Sequence, residues 1–276
     1  MNVGMIGYGV VGSSTAEGLS RTGNVRVFAY DKYKQTKHSI AAVVSCDVIF
    51  VCVPTPMKKS GEIDVSALYD SVDGLIKAGI KENTIIVIKS TAVSGTTDAL
   101  ADKYPHLNFA FNPEFLTEIN AKEDFINSTR VIIGAKEEHV FTRIARVYEE
   151  AGFTCPIVKT DLKTAEMIKY VGNTFLATKV MFANEIYKMC ELLNIEYKQV
   201  IQNVLLDDRI GDTHWDVPGY DGNLGFGGKC FPKDLNALIY LAREYGHRSH
   251  LLEEVWRSNL TVRKNIDWLN DKGEIK

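Results

Sequence analysis

The sequence predicts an α/β protein in which a doubly wound parallel sheet is followed by an all-α helical domain. Up to about residue 160, short apolar runs alternate with amphipathic stretches, a pattern typical of repeated strand–helix–strand units. Beyond residue 161, apolar residues follow helical spacing instead. We therefore divide the chain of 276 residues into two domains, at 1–160 and 161–276, each able to bury its own core.

The first domain contains seven runs that we interpret as strands. Most of them are continuously apolar, as expected where helices cover both faces of a parallel sheet. They lie at residues 3–6, 25–30, 48–53, 85–88, 108–111 and 130–133, with a further short strand at 156–160.

The second domain begins with a long helix, predicted from residue 164 to about residue 193 and followed by a helix at 197–204. Residues 207–232 hold six of the 21 glycines and two of the seven prolines, which indicates a long loop, and loops of this length are usually functional or disordered. Helical patterns return at 234–245 and 249–268, and the charged tail at 270–276 is expected to fray.

Composition and cysteine usage exclude several classes of function. A net charge of -3 gives no electrostatic case for nucleic acid or an anionic membrane, and no apolar stretch reaches the roughly 18 residues that cross a bilayer. Residues 1–7 run directly into an apolar strand pattern without the features of a secretory leader, so we expect none. The five cysteines are dispersed along the chain, a pattern that predicts reduced thiols and no metal site. We expect Cys46, Cys52 and Cys190 to be buried. We expect a cytoplasmic protein that uses no metal.

A glycine-rich turn of the form GxGxxG joins the first strand to a helix at residues 11–20. Gly7 permits the tight turn, Gly9 lets the backbone approach a pyrophosphate, and Gly12 lets helix and strand pack closely. Asp31, at the end of the next strand, would accept hydrogen bonds from the ribose hydroxyls and would repel a 2′-phosphate. Alternatively, the glycines make only a tight connection between strand and helix. The preceding strand, the following helix and Asp31 together favour a Rossmann domain that binds NAD. The predicted cofactor contacts here are Gly7, Gly9, Val10, Val11, Gly12 and Asp31.

A second glycine-rich segment, GFGGKCFPKD at residues 225–234, surrounds one cysteine. Its glycines would let the backbone come close to a ligand, and a helix begins after it with Asp234 as a possible N-cap. A thiol at a helix start beside Lys229 and Lys233 has the surroundings of a nucleophile. From these residues alone, a catalytic Cys230 and an incidental loop cysteine remain equal alternatives.

With these motifs the sequence resembles the UDP-glucose/GDP-mannose dehydrogenase family, and its cysteine loop is most similar to the UDP-glucose-oxidising branch. Further blocks of the family occur in the same order, namely VPTP at 53–56, KST at 89–91, NPEFL at 112–116, AEMIK at 165–169 with Asn173, and DRIG at 208–211. The blocks cover nearly the whole chain, which makes chance similarity a poor explanation.

The resemblance implies an NAD-dependent nucleotide-sugar 6-dehydrogenase that oxidises UDP-glucose to UDP-glucuronate. Two hydrides would leave in turn, through a thiohemiacetal and a thioester on Cys230. It also implies a homodimer formed through the helical domain. Two alternatives remain, a non-catalytic NAD-binding relative and a β-hydroxyacid-type dehydrogenase. The second needs no cysteine nucleophile, so the cysteine loop counts against it.

The resemblance assigns roles to individual residues. Lys169 and Asn173, four apart on the long helix, would hold the developing oxyanion at C6 of the sugar. The implied catalytic residues are Cys230, Lys169, Asn173, Asp234 (orienting water or the lysine), Glu114 (activating water) and Thr91 (near the nicotinamide). Further cofactor contacts are Val53, Pro54, Thr55, Thr91 and Glu118. The implied substrate contacts are Glu114, Phe115, Leu116, Lys169, Asn173, Phe226, Gly227 and Arg209. In relatives the arginine that Arg209 matches reaches the substrate from the neighbouring subunit.

Members of the family carry a further, UDP-binding domain after the helical one, which supplies much of the nucleotide pocket. No segment of these 276 residues resembles that domain. We therefore expect this chain, whether a fragment or a short form, to build only part of the substrate cleft.

Overall fold

The computed structural model describes residues 1–117 and 119–269, and within them all seven predicted strands are present. The strands form one sheet in the order β2-β1-β3-β4-β5-β6-β7. Their bounds are β1 Asn2–Ile6, β2 Arg26–Tyr30, β3 Val48–Val51, β4 Ile85–Ile88, β5 Asn108–Phe111, β6 Val131–Ala135 and β7 Ile157–Thr160. The predicted fold class, a doubly wound sheet followed by a helical domain, is confirmed.

One pairing differs from the wholly parallel sheet that we predicted. Strands β1 to β5 pair in parallel with their neighbours, but β6 runs antiparallel to β5, with Phe111 opposite Gly134. Strand β7 is again parallel to β6. A continuously apolar run reads the same in either direction, so the sequence pattern could not reveal this reversal.

Helices cover both faces of the sheet and explain why its central strands are apolar throughout. The helices are α1 Val10–Ser20, α2 Ile40–Val43, α3 Ser66–Lys77, α4 Thr96–Lys103, α5 Ala121–Ile126 and α6 Glu138–Glu150. In β3, Val48 and Phe50 enter one core together with residues of α1 and α6, whereas Ile49 and Val51 enter a second core with residues of α2, α3 and α4. Alternate side chains of one strand therefore serve opposite cores.

The helical part consists of α7 Leu162–Leu193, α8 Tyr197–Val204, α9 Phe231–Glu244 and α10 His250–Val262. Backbone contacts divide the chain into two compact units. The first contains Met1–Thr55 and Asp64–Lys169, and the second contains Pro56–Ile63 and the residues from Tyr170 onward. The domain boundary that we propose from the sequence, between residues 160 and 161, falls just before α7 begins.

Two helix ends in the second unit differ from the sequence prediction. Helix α9 has Cys230 as its N-cap, not Asp234, whose own N–H already donates to the Cys230 carbonyl at 2.9 Å. Proline in the first turn of α9 allows this earlier start, since no N–H is needed there. Helix α10 ends at Val262 instead of residue 268, because Arg263 leaves the helix and its guanidinium bonds to Asp221 and Asp267.

The segment between α8 and α9 forms neither helix nor strand, in agreement with the predicted long loop. Among the described residues, no helix combines the length and the apolar character needed to span a membrane. The predicted frayed tail at 270–276 lies outside the described residues.

A buried carboxylate attaches the start of α7 to α4 within the first unit. Glu166 Oε2 accepts a hydrogen bond from Gly95 N at 2.6 Å, and Oε1 accepts from the backbone N–H of Thr97 at 2.8 Å and from its hydroxyl at 2.6 Å. Gly95 is the N-cap of α4. Glu166 therefore satisfies N–H groups that the start of α4 would otherwise leave unbonded. Burial, reinforced by Asp98, raises the pKa of Glu166 to about 7 in spite of these bonds.

The raised pKa of Glu166 makes stability depend on pH. Between the ordinary value of 4.5 and about 7, the folded state keeps a proton that the unfolded state has lost, so stability falls as pH rises through this window. We expect the free energy of unfolding of the wild type, relative to Glu166→Gln, to fall by about 2–3 kcal/mol between pH 5 and pH 8. Urea denaturation at a series of pH values measures this difference. Glu138→Gln, an exposed glutamate of α6, should follow the wild type, and a constant difference for Glu166→Gln would contradict the assignment.

Candidate active site

The glycine-rich turn has one glycine that the fold leaves open and two that it does not. A Cβ on Gly7 (φ +87) would overlap the Cys52 carbonyl, and a Cβ on Gly12 would overlap the Gly7 carbonyl. A Cβ on Gly9 would meet nothing within 4 Å. Gly9 is also the N-cap of α1, and the next residue, Val10, is exposed. This open backbone at a helix N-terminus fits a dinucleotide pyrophosphate.

Asp31, which is predicted to bind a ribose, accepts hydrogen bonds from three backbone amides. Its Oδ2 accepts from Tyr8 N at 2.7 Å, and its Oδ1 accepts from Tyr33 N at 2.8 Å and from Lys34 N at 2.9 Å. Burial opposes ionisation, but these amides and the nearby Lys34 ammonium hold the pKa of Asp31 below its ordinary value. Because a carboxylate offers about four lone-pair positions, three backbone bonds leave room for a ribose hydroxyl.

The segments that follow β3 and β4 lie at the same edge of the sheet as the glycine-rich turn. Val53 N donates to Ser90 Oγ at 2.8 Å, and Ser90 Oγ also contacts the Val51 carbonyl at 3.3 Å. This bond ties the predicted contacts Val53, Pro54 and Thr55 to the segment that carries Thr91. The sequence motifs assign no role to Ser90, although it stands directly before Thr91 in the KST block. Glu118 lies outside the described residues.

Glu114 and Lys169 form a buried ion pair in the first unit. The Oε1 of Glu114 lies 2.8 Å from Lys169 Nζ, and the two side chains are only 7% and 3% exposed. Glu114 Oε2 accepts from Leu116 N at 2.8 Å. Burial raises the pKa of Glu114, yet the charge and hydrogen bond of Lys169 bring it below its ordinary value. The pair therefore keeps the Glu114 carboxylate ionised in a buried position. One of the three N–H donors of the Lys169 ammonium bonds to this carboxylate.

A second buried lysine supports the segment that carries Glu114. Lys89 Nζ donates to Asn112 Oδ1 at 2.8 Å, and the Tyr148 hydroxyl donates to the same oxygen at 2.5 Å. Asn112 Nδ2 in turn donates to the Ile132 carbonyl at 2.7 Å. Burial lowers the pKa of Lys89 to about 8. No role was predicted for Lys89, because a lysine at the end of an apolar strand carries no local sign of burial.

In the second unit, Asp234 connects the start of α9 to α7. Its Oδ2 accepts from Asn173 Nδ2 at 2.5 Å, and its Oδ1 lies 2.5 Å from Lys233 Nζ. Asp234 is 1% exposed, whereas Cys230, one helical turn earlier at the N-cap, is half-buried. The N-terminus of a helix stabilises a nearby anion, so this position suits a thiolate.

Four of the predicted substrate contacts occupy contrasting places. The ring of Phe226 is buried and packs edge-on against Phe231, and a Cβ on Gly227 would overlap the Arg263 guanidinium. Arg209 is exposed and pairs with Asp207. Phe115 is half-buried in the first unit, with the Lys169 ammonium 5.8 Å from its ring centroid.

Three of the four remaining cysteines are buried, as the sequence predicts. Cys46, Cys52 and Cys190 are buried, and burial raises the pKa of Cys46 to about 11 and that of Cys52 to about 12. Over the described part of the chain, no three His, Cys, Asp or Glu side chains group as metal ligands would.

Comparison with known families identifies both parts of the chain. The NAD binding domain of the UDP-glucose/GDP-mannose dehydrogenase family matches residues 24–152, and the central domain of the same family matches residues 163–261. The UDP-glucose 6-dehydrogenase of Rickettsia bellii is 37% identical over 237 residues, which are 83% of this chain and 53% of that protein. UDP-glucose 6-dehydrogenase YwqF of Bacillus subtilis is 31% identical, over 94% of this chain and 66% of that protein. The chain thus spans about half to two thirds of these relatives.

Solved structures agree with this similarity. A UDP-glucose dehydrogenase from the hyperthermophilic archaeon Pyrobaculum islandicum gives a TM-score of 0.83 at 28% identity, over 94% of this chain and 68% of that one. A GDP-mannose dehydrogenase from Pseudomonas aeruginosa, solved as a ternary complex, gives 0.66 at 26% identity, over 95% of this chain and 69% of that one. With the domain match at residues 24–152, the predicted cofactor, NAD, is confirmed.

The open position at Gly9 allows cofactor binding to be tested apart from folding. Gly9→Val places its side chain where no protein atom lies, on a backbone (φ -76, ψ -164) that valine adopts readily. We expect an unchanged melting temperature without NAD and a Kd for NAD at least about tenfold weaker, because the pyrophosphate loses its approach to the backbone. Calorimetric titration measures the affinity. Gly12→Val should instead destabilise the fold, and wild-type NAD affinity in Gly9→Val would contradict the assigned site.

Proposed function

Because this chain belongs to the UDP-glucose/GDP-mannose dehydrogenase family, as its sequence motifs predict, we propose that it oxidises C6 of a nucleotide sugar with NAD as the oxidant. The proposed substrate is UDP-glucose and the product UDP-glucuronate, since the relatives compared above are UDP-glucose 6-dehydrogenases. The observation that carries the proposal is a half-buried cysteine at the N-cap of α9, one turn from an aspartate bonded to Asn173.

The proposed cofactor contacts are the backbone of the glycine-rich turn and the carboxylate of Asp31. NAD, when bound, supplies a hydride acceptor for each of the two oxidations. Asp31 accepts from the ribose and disfavours a 2′-phosphate by charge repulsion. Val53, Pro54, Thr55 and Thr91 are proposed as further contacts, supported by their position at the carboxyl edge of the sheet.

The proposed reaction uses Cys230 for the second oxidation. Loss of a hydride from C6 and of the C6 hydroxyl proton to solvent gives an aldehyde, and Lys169 and Asn173 donate to the oxygen as negative charge develops on it. The thiolate of Cys230 then adds to the aldehyde carbon, and the π electrons of the carbonyl move to its oxygen, forming the anion of a thiohemiacetal. Loss of a second hydride from C6 leaves a thioester on Cys230.

Hydrolysis of the thioester completes the proposed cycle. Water attacks the acyl carbon, the carbon–sulfur bond breaks, and the thiolate departs as the carboxylate forms. Glu114 is the proposed base for this water, supported by its ionised state in a buried position. Asp234 is proposed to orient the reacting groups through Asn173, to which it is bonded. A β-hydroxyacid-type reaction has no step that needs Cys230.

The cysteine chemistry can be tested by stoichiometry. With purified protein, UDP-glucose and NAD should give about two NADH for each UDP-glucuronate, because each oxidation reduces one cofactor. Cys230→Ala should reduce acid formation at least about a thousandfold while NAD affinity stays unchanged. Absorbance at 340 nm and chromatography of the sugar nucleotides measure both quantities.

Two controls sharpen this test. Cys155→Ala removes the other half-buried thiol and should leave the rate unchanged. Full acid formation by Cys230→Ala would refute the mechanism. Wild-type protein that binds NAD but oxidises none of a panel of UDP- and GDP-sugars would instead favour the non-catalytic alternative.

We further propose a cytoplasmic location, which the dispersed thiols support. We also propose a homodimer that forms through α7. Four apolar side chains of α7, namely Val171, Phe175, Phe182 and Met189, are between 52% and 65% exposed. Their spacings of four, seven and seven residues put them on one face of the helix. An exposed apolar stripe of this kind is typical of a protein–protein interface.

Charge placed on this stripe should separate the subunits. We expect wild-type protein to have twice the mass of the chain by light scattering after gel filtration. The double substitution Phe175→Glu with Met189→Glu should yield monomers, because four carboxylates would be buried in the dimer without partners. Leu251→Glu, at an equally exposed leucine of α10, is the matched control and should stay dimeric. A dimeric double variant would place the interface elsewhere.

A further inference from the structure

The glycine loop before Cys230 is held by side chains that lie outside it. We propose that Asn259, together with Arg263 and Asp267, forms a clamp that positions Cys230 on the N-terminus of α9. We call these three residues the 259–267 clamp. The inference deepens the proposed function, since it takes Cys230 as the nucleophile. In this scheme Asn259 and Arg263 are positioning residues that act through the loop and contact no substrate.

Asn259 binds both backbone groups of one loop residue. Its Oδ1 accepts from Phe226 N at 2.8 Å, and its Nδ2 donates to the Phe226 carbonyl at 3.0 Å. The side-chain amide therefore pairs with Phe226 as a neighbouring strand would. Asn259 is 0% exposed, so both bonds are shielded from water and the loss of either leaves a buried polar group unpaired.

Two further side chains bind the amides on either side of Phe226. Asn184, on α7, accepts from Gly225 N at 2.9 Å, and Asp267 accepts from Gly228 N at 3.0 Å. The N–H groups of residues 225, 226 and 228 are thus all bonded to side chains from other elements. Cys230 follows only two residues later, as the N-cap of α9.

Arg263 holds the clamp together. Its guanidinium is 1% exposed, and it bonds to Asp221 at 2.6 Å, to Asp267 at 2.9 Å and to the Asn265 carbonyl at 2.8 Å. The carboxylates of Asp221 and Asp267 compensate this buried cation. Asp267, which accepts from the loop amide, is therefore fixed by a charged partner and not by its own rotamer alone.

The glycines of the loop make room for the clamp. A Cβ on Gly225, at φ +67, would overlap Asn259 Oδ1, and a Cβ on Gly227 would overlap the Arg263 guanidinium and lie 2.6 Å from Asp267 Oδ1. We had interpreted these glycines as places where the backbone approaches a ligand. At these two positions the space is taken by the protein's own side chains.

The clamp acts on Cys230 through a short and stiff path. Phe226, held by Asn259, packs its ring edge-on against Phe231, the first residue of α9, with the ring centroids 6.2 Å apart. The 259–267 clamp therefore fixes the backbone before Cys230 directly, and it fixes Phe231, the residue after Cys230, through Phe226. Displacement of the loop would move the thiol away from the helix N-terminus, where a thiolate is stabilised.

The rate of alkylation of Cys230 by iodoacetamide tests this inference without any turnover, because the thiolate is the reacting species. The variants are Asn259→Ala, which removes both bonds to Phe226, and Arg263→Lys, which keeps the charge but loses the planar fork. The matched controls are Asn203→Ala, an exposed asparagine of α8, and Arg257→Lys, an exposed arginine of α10. Mass spectrometry follows the peptide that contains Cys230, with Cys155 as internal reference.

We expect alkylation of Cys230 in Asn259→Ala to be about three- to fivefold slower than in the wild type at pH 7, and equal to it at pH 10, above the ordinary pKa of an accessible thiol. Arg263→Lys should show a smaller loss of the same form, and both controls should match the wild type. With UDP-glucose, kcat should fall by a similar factor while KM stays unchanged. This pattern of pH dependence separates positioning from a general loosening, which would speed alkylation at both pH values.

An unchanged Cys230 rate at pH 7, or an equal increase at pH 7 and pH 10, would overturn the inference. If Asn259→Ala does not fold, the milder Arg263→Lys decides by the same criterion. Wild-type protein that fails to oxidise any nucleotide sugar would refute the proposed function, while the alkylation rates would still report on the clamp. Normal turnover with a wild-type alkylation profile in both variants would refute the clamp alone.

Discussion

The need to give buried ionisable groups a partner governs the start of α7. A buried polar or charged group without a partner costs free energy, so a helix that carries both Glu166 and Lys169 inward requires partners for both. Glu166 finds them at the N-terminus of α4, and Lys169 finds one in Glu114. These contacts fix Glu166 and Lys169 within the first unit, near the carboxyl edge of the sheet.

In the second unit, polar side chains instead of a large apolar core hold the functional loop in place. Its main apolar cluster holds few residues, and the loop before Cys230 forms neither helix nor strand. Directional bonds from Asn184, Asn259 and Asp267 replace the ladder that a strand would have provided. Such bonds specify one loop conformation more sharply than apolar contacts do, because each has a required partner and angle.

The sequence predicted best what depends on local periodicity. Strands with continuous apolar runs, the long helix α7 and the glycine-rich turn were all found in place, because their signals lie within a few neighbouring residues. The antiparallel β6, the early start of α9 and the early end of α10 were not predicted. The direction of β6 and the end of α10 depend on partners distant in the chain, such as Asp221 for Arg263, 42 residues away, whereas the start of α9 depends on a proline in its own first turn.

The same limit applies to the candidate site. Family blocks pointed to Glu114, Lys169, Asn173 and Asp234, and within each unit the structure pairs them as Glu114 with Lys169 and Asn173 with Asp234. The sequence did not predict the roles of Lys89 and Asn259, because the residue type alone does not show whether an amide or ammonium group will be buried. The glycines at 225 and 227 were noticed for their density but assigned to a ligand, because the side chains that fill their space lie more than 30 residues later.

That occupied space couples two distant positions. The Arg263 guanidinium lies where a side chain at position 227 would begin, so an alanine at 227 would require this buried guanidinium to move. A shorter residue at 263 would leave room for the alanine, but the carboxylates of Asp221 and Asp267 would then lose their common cation. The two positions are therefore linked first by volume and then by charge.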